Sequence, residues 1–570
     1  MKPRIGEILV QKGLIAASEV ESALGEQNKT GKPLGEILLK RGLITEKDLL
    51  LSLGEQLQID YIDLKKTKVM PEAVEAVPVK LASHYKIMPV EIKDGILTIA
   101  VSDPFNPWPL DDIQVNLGYR SRIVLAGCQE IQEAIQRYYG VGADTVGRIM
   151  KSEEDSLAMT EAAANQDEPT EIIPEKAEEK GVHDATVVRL VEQILQEAVR
   201  RKSSDIHIEM GRERLAVRYR VDGLLADAQL PEEIRYLAPA ILSRIKIMSG
   251  MDIVEKRLPQ DGRSRMKIGP EEFDLRISIL PSRYGEDIAI RLLPAKKLFR
   301  LDALGMRSEQ MDIFKKLTQV PHGILFVTGP TGSGKSTTLY TLLSQINSRN
   351  RKIITVEDPI EYEIPGITQI QANAAIGLTF ARILRNILRH DPDVAMIGEV
   401  RDTETAEIAI QAAMTGHLVF STLHTNDAAS GVTRLIDMGI EPFLISSSVV
   451  AFVAQRLVRL ICTKCKTEVA PDELEYWKKR LEGKINTPIQ KLLVGDGCEA
   501  CDSTGYRDRT ALYEILIIDE EIRKLIFNKA SAEEIKKAGI RRGMRTLWDD
   551  GSEKIAAGLT TPEEVIRVIG

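Results

Sequence analysis

The amino-acid sequence predicts a multidomain α/β protein whose last and largest domain is a mostly parallel sheet built around a phosphate-binding loop. Three observations carry that expectation. An apolar segment at 324–328 runs straight into GPTGSGKST at 329–337 and then into a helical pattern at 338–346, the strand–loop–helix order that a phosphate loop requires. Strand and helix patterns alternate from about residue 304 onward, as in a parallel sheet with crossover helices. Before them lie two smaller α/β patterns, separated by a stretch without apolar periodicity.

The chain has 570 residues, room for about three or four domains. Hydrophobic residues make up 43% and charged residues 28%, so each domain can bury a core of its own. The net charge of -8 and the 5% aromatic content argue against a broad nucleic-acid surface with stacking side chains, and no nucleic-acid partner is expected. MKPRIGEILV lacks the apolar stretch of a secretory signal. No run approaches the roughly 18 apolar residues of a membrane span. The nearest, at 443–453, is short and holds Ser446, Ser447 and Ser448; it reads as a buried helix. The expected location is cytoplasmic, with a membrane reached through a partner and not by insertion.

Residues 4–27 and 33–56 form a tandem repeat, offset by 29 positions with 11 of 24 identical. Each copy reads as a short helix, a turn at Gly13 or Gly42, and a second helix capped by Ser18 or Thr45, with Glu21 and Asp48 completing capping boxes. An α/β unit follows to about 140, with a strand at 96–101 and an amphipathic helix at 129–139. Cys128 beside it reads as a small buried hydrophobe. Residues 1–143 are thus an N-terminal domain. Residues 144–182, rich in Glu, Ala, Thr and Pro, read as a flexible acidic linker. A second α/β domain spans 183–303, opening on a helix at 185–201 and including strands at 215–219 and 274–279. The nucleotide domain, 304–570, ends in a mostly helical tail.

Gly329, Pro330, Thr331, Gly332, Ser333, Gly334, Lys335, Ser336 and Thr337 complete the phosphate-loop pattern. Glycines let backbone N–H groups close around phosphate oxygens, and the helix N-terminus adds positive potential. Lys335 is placed to reach the β and γ phosphates of ATP, and the Ser336 hydroxyl to hold Mg²⁺. Two strand patterns end in carboxylates, at Glu357 and at Glu399. A carboxylate at such a strand end can bind Mg²⁺ through water or orient the attacking water. Gly398 stands where many such enzymes carry Asp. His424 follows another strand and suits a γ-phosphate sensor. Arg257, Arg263, Arg276 and Arg291 are candidates for the added positive charge that phosphoryl transfer needs.

Cys462-x-x-Cys465 and Cys498-x-x-Cys501 supply the four thiolates of a tetrahedral Zn²⁺ site. The 32 residues between the pairs are enough for a small subdomain at 462–501. A redox pair is the competing reading.

These motifs, with SSDIHIE, RYRVDG, EKRLPQDGR, VEDPIE, LRHDPDVAMIGEVRDTETA, STLHTN, AQRLVR and GYRDRTALYEIL, resemble the secretion ATPases of the type II secretion and type IV pilus class over nearly the whole chain. The resemblance implies a RecA-like ATPase domain preceded by a PAS-like domain, and a homo-hexameric motor docking on inner-membrane platform proteins through its N-terminal domain. It implies that Glu357 is the general base, that Glu399 ends an atypical Walker B strand, and that His424 belongs to a histidine box. Arg276 and Arg291 would act on nucleotide between domains, with Arg385 and Arg389 near the active site, and the four cysteines would hold zinc. EKRLPQDGR and RLIDMGIEPFLISSS are more similar to the type II secretion branch. The N-terminal repeat resembles a cyclic di-GMP-binding module, in which Arg4, Gly6, Gln27, Gly35 and Gln56 match motif positions. A pilus-assembly ATPase, a nucleic-acid translocase and a nucleotide-gated switch are the alternatives.

Overall fold

A computed structural model describes residues 4–106, 108–143, 145, 176–295, 299–483 and 489–570. Most of the expected linker, 146–175, lies outside them. The chain divides into two units, Met1–Pro294 and Ala295–Gly570.

The first unit opens with four helices, Ile5–Gln11, Ala17–Thr30, Leu34–Lys40 and Glu46–Leu57. They close on a small core that includes Leu9, Val20, Ala23, Ile37 and Leu38. Gly13 and Gly42 adopt left-handed φ of 70° and 68°, which a residue with a Cβ disfavours. Thr45 caps its helix as expected, its Oγ1 accepting from Asp48 N at 3.2 Å while the Asp48 carboxylate accepts from Thr45 N at 3.1 Å. Ser18 does not cap. The helix starts two residues earlier, after Ala16, whose N–H donates to Glu19 at 3.3 Å. Ala16 and Glu19 are the repeat equivalents of Thr45 and Asp48, so shared packing of the repeats overrides the better local cap.

A three-stranded sheet follows, Ile87–Lys93, Ile96–Val101 and Arg120–Leu125, covered by helix Cys128–Tyr139. Cys128 is half-buried, not buried; it opens the helix and its N–H donates to the Glu46 carboxylate at 2.9 Å. Helix Lys176–Arg200 starts earlier than its apolar stripe, because KAEEK is made of strong helix formers; it takes residues 176–182 from the expected linker. It packs on a six-stranded antiparallel sheet in which Asp205–Met210 and Gly285–Pro294 are the central pair. Alternate residues, among them Ile206, Ile208, Val217, Tyr219, Leu275, Ile277 and Ile290, fill the core with Leu190, Ile194 and Leu195 of the helix. The opposite face carries the arginines.

The second unit holds a seven-stranded sheet in the spatial order Thr368–Gln371, Ile353–Glu357, Val394–Ile397, Leu418–Leu423, Gly323–Thr328, Val449–Ile461 and Tyr506–Ile517. All neighbours are parallel except the last pair. The inner strands are buried on both faces, as a sheet sandwiched by helices requires. The segment 443–453 is not one helix. Helix Pro442–Ser448 stops where Val449 begins the long strand Val449–Ile461, and β-branched valines favour that switch. The cysteine segment is inserted between this strand and Tyr506–Ile517, which pair up to Ile461 and Tyr506.

Four helices, starting with Glu520–Phe527 and ending with Pro562–Ile569, form the tail. Asp550, with 0% exposure, joins them to the rest. It accepts from Arg307 Nε at 3.1 Å, Gln310 Nε2 at 3.0 Å, Tyr513 N at 3.0 Å and Lys554 Nζ at 2.9 Å. Removing it leaves buried Lys554 without its counter-charge. Asp550→Ala is therefore expected to destabilise this unit by about 3–5 kcal/mol, measured as a lowered denaturant midpoint; an unchanged midpoint would show that Lys554 finds another partner.

Candidate functional site

Five adjacent parallel strands end on one edge of the sheet and deliver the candidate site there. In spatial order they bring Glu357, Glu399, His424, the phosphate loop, and the pair Gln455–Arg456. Carboxyl ends of parallel strands are where such sheets bind ligands.

The loop leaves its strand at Gly329, φ 150°, and enters helix Lys335–Ile346 through Gly334, φ 87°. The helix begins at Lys335, three residues before its sequence pattern. A Cβ on Gly329 would lie 2.6 Å from Gln455 O, and one on Gly334 would lie 2.8 Å from Gln455 Nε2. Thr338 Oγ1 donates to Gln455 Oε1 at 2.7 Å. The loop is thus seated on Gln455. Lys335 Nζ donates to Gly329 O at 2.7 Å and Pro330 O at 3.1 Å, so the ammonium sits inside the loop. Burial pushes its pKa down to about 8; Glu399 counteracts this and Arg456 adds to it. The Ser333 hydroxyl is buried among the loop atoms with no hydrogen-bond partner among the described residues, consistent with a loop shaped to receive acceptor oxygens.

Glu399 is mostly buried and contacts Arg401, while His424 Nε2 lies 3.3 Å from its carboxylate. Lys335, Glu399 and His424 are therefore one electrostatic cluster. Glu357, 4% exposed, is held by the Tyr340 hydroxyl, by Thr355 Oγ1 at 2.5 Å and by Gln369 Nε2 at 3.1 Å. It stands on the neighbouring strand. At Gly398, where many such enzymes carry Asp, an added Cβ would lie 3.3 Å from Val356 O and 3.4 Å from Glu357 Cα, a tight but not excluded fit against the neighbouring carboxylate strand. Mg²⁺, when bound, would neutralise negative charge developing on the phosphates. Ser336, one residue into the helix and exposed, and Glu399 are the groups that could hold it.

The remaining sequence candidates have partners of their own. Arg385 contacts Glu404, and Arg389 contacts Asn386 and the Arg385 carbonyl. On the first unit, Arg263, Arg276 and Arg291 stand directly opposite one another across three strands, and Arg291 also pairs with Asp205 at 3.0 Å. Arg257 lies outside that row, on an exposed loop beside Glu255. Reasoning from sequence missed Tyr340, Arg401, Asn426, Gln455 and Arg456 as site residues. The last three stood inside STLHTN and AQRLVR, but only the strand order brings those segments to the loop.

Cys462, Cys465, Cys498 and Cys501 bring their sulfurs within 4.8 Å of one another. Three of the separations are 3.8, 3.8 and 3.7 Å. Tetrahedral zinc with bonds of about 2.3 Å needs sulfurs about 3.8 Å apart, so the cluster fits a four-thiolate metal site.

In the N-terminal helices, Arg4 is exposed at the start of the first, and Gln27 and Gln56 sit half-buried at equivalent positions in the second and fourth. Gly6 and Gly35 have a packing reason: a Cβ would lie 2.7 Å from Val20 Cγ1 and 2.9 Å from Leu49 Cδ1, respectively. Ile8, Leu9, Ile37 and Leu38 are likewise buried.

A phosphate loop on a mostly parallel sheet, with strand-end carboxylates beside it, defines a P-loop ATPase of RecA-like fold. Comparison with known proteins narrows the class. The family described as Type II/IV secretion system protein matches residues 180–567, and the MshEN domain family matches residues 57–145. The chain is 41% identical over 570 residues to the type IV pilus assembly ATPase PilB of Myxococcus xanthus, covering 99% of each chain. It is 42% identical over 504 residues to a type II secretion system protein E of Xanthomonas campestris, covering 88% of this chain and 86% of that one. It is 49% identical over 408 residues to its counterpart in Pseudomonas aeruginosa, covering 71% and 79%. The chain belongs to the type II/IV secretion ATPase family.

Two outcomes follow from the site. Lys335→Ala is expected to lower ATP turnover at least about 100-fold, since the ammonium stands inside the loop; near-wild-type turnover of the folded variant would remove Lys335 from the site. A charged Lys335 is needed to receive phosphate. In the free enzyme kcat/KM should therefore fall as pH rises through about 8. Bound triphosphate favours the charged form, so kcat should fall only at higher pH. A flat kcat/KM profile from pH 7 to 9 would contradict this.

Proposed function

We propose that this ATPase is a homo-hexameric motor that powers type II protein secretion by assembling a pseudopilus on an inner-membrane platform, which it reaches through its N-terminal domain. The observation that carries the reading is the 49% identity to a type II secretion system protein E over 408 residues, the highest identity among the relatives described above. The segments EKRLPQDGR and RLIDMGIEPFLISSS support it. Type IV pilus assembly is the second reading, favoured by the match to PilB over 99% of both chains. Deleting the gene in the native host separates them. Loss of secreted proteins with pili intact is the expected result; loss of pili with secretion intact would transfer the assignment to pilus assembly. No helix among the described residues is long and apolar enough to cross a membrane, which agrees with peripheral attachment through partners.

Within the site, Lys335 binds the phosphates, Ser336 holds Mg²⁺, and Glu399 and Glu357 activate and orient water, with His424 beside the γ-phosphate. Arg276 and Arg291 complete the charge from the preceding domain, and Arg385 and Arg389 assist. Glu399→Gln is expected to retain ATP binding and to lower kcat at least about 100-fold; normal turnover would hand the base role to Glu357 alone. The four cysteines bind one Zn²⁺ per chain, measurable by elemental analysis, and metal-free protein purified anaerobically would oppose this.

The N-terminal repeat binds cyclic di-GMP. The paired positions of Gln27 and Gln56 support it: two similar half-sites suit a roughly two-fold symmetric dinucleotide, and the MshEN match at 57–145 begins just after the repeat. Arg4, planar and always charged, can pair with phosphate or stack on guanine. Gly6 and Gly35 contribute by letting the helices pack. Calorimetry on the whole protein should show binding that weakens at least about tenfold in Arg4→Ala; equal affinity in both proteins would leave the repeat as a docking adaptor.

A further inference from the structure

We propose that Arg456 is a positioning residue that locks the His424 loop to the strand on which the phosphate loop is seated, and that Lys536 secures that lock from the C-terminal helices. The proposal rests on the reading of His424 as a site residue.

Arg456 is 7% exposed and its guanidinium lies between the strand that seats the phosphate loop and the histidine loop. On one side, Nη1 donates to Gln455 O of its own strand at 3.0 Å and lies 3.1 Å from where a Cβ on Gly329 would stand. The other side belongs to the histidine loop: Nη2 donates to Asn426 O at 2.8 Å and approaches Asn426 Oδ1 at 3.3 Å. Asn426 is two residues beyond His424 and immediately before the turn into helix Ala429–Asp437. A planar fork can make both sets of bonds at once; a lysine cannot.

The far end of the histidine loop is clamped from another direction. Lys536 Nζ, on helix Ala532–Arg541, binds Asp427 at 2.9 Å and lies 3.7 Å from Glu514. Glu514, 1% exposed, accepts the Ala428 N–H at 2.9 Å. The charged groups facing one another are thus Arg456, Asp427, Lys536 and Glu514, with Lys335 beyond Arg456. Burial lowers the proton affinity of Arg456, and Glu514 and Asp427 oppose that, so the two carboxylates stabilise the cation where it is needed. His424 is exposed and contacts Glu399, so its position depends on how firmly residues 426–428 are held. A catalytic group displaced by about 1 Å loses rate without losing substrate affinity.

The test is a set of double-mutant cycles on ATP turnover by the full-length protein. His424→Ala alone is expected to lower kcat; if it does not, the histidine reading itself fails, and that outcome is separate from the proposal. Arg456→Lys and Lys536→Met are each expected to lower kcat about tenfold with KM for ATP within about twofold, and to have less than about a twofold effect when His424 is already Ala. Lys536→Arg should restore most of the rate. A variant that lowers kcat by the same factor with and without His424, or leaves kcat unchanged in the native background, overturns the role assigned to its residue. Lys536, partly exposed, keeps its packing stem in the methionine variant, so it decides the question if Arg456→Lys does not fold.

Discussion

The nucleotide unit depends on one close approach, that of the loop 329–334 to the strand carrying Gln455 and Arg456. Parallel pairing of Gly323–Thr328 with Val449–Ile461 sets Thr328 opposite Ala454, so the next residues, Gly329 and Gln455, must meet. Neither Gly329 nor Gly334 has room for a side chain there. A bare backbone is what lets N–H groups face phosphate oxygens, so one steric constraint serves both packing and binding. The loop is held in place by a sheet buried on both faces, which leaves the strand no freedom to retreat.

The same edge brings the two acidic strands together. Val356 and Gly398 are bonded across parallel strands, Gly398 N to Val356 O at 2.8 Å, and the tight spacing places Glu399 and Glu357 side by side with different surroundings. Glu357 is immobilised by three donors, whereas Glu399 is engaged by two cationic or ionisable groups, Arg401 and His424, and feels Lys335. Two carboxylates of identical chemistry thereby acquire different environments.

Outside the sheet, cohesion comes from buried polar groups whose partners are far away in sequence. Asp550 links the tail to residues near 307–310, and Glu564, 1% exposed, binds both Arg459 and Arg567. Breaking such a group strands its partner without compensation, so the helical tail is bound to the ATPase sheet as one folding unit. Pairing of Val449–Ile461 with Tyr506–Ile517 brings the ends of the inserted cysteine segment together, and its Trp477, Leu481 and Leu492 join the core of the unit.

Much of this was legible from residue order alone, wherever a property is local. The phosphate loop, the strand at 96–101, the left-handed turns at Gly13 and Gly42, the Thr45 cap and the pairing of cysteines all follow from neighbours in the chain. Local reasoning failed where packing outvoted it: at Ser18, passed over for the repeat-equivalent Ala16, and at 443–453, where an apolar run divides between helix and strand. The sequence by itself determined the chemistry, since phosphate loop, carboxylates and thiols are identities of residues at short spacings. Only the tertiary structure decided which of them meet. Strand order in a sheet is set by long-range burial, and that order alone puts Gln455 and Arg456 beneath a loop more than a hundred residues earlier, aligns Arg263 with Arg276 and Arg291, and joins His424 to Glu399.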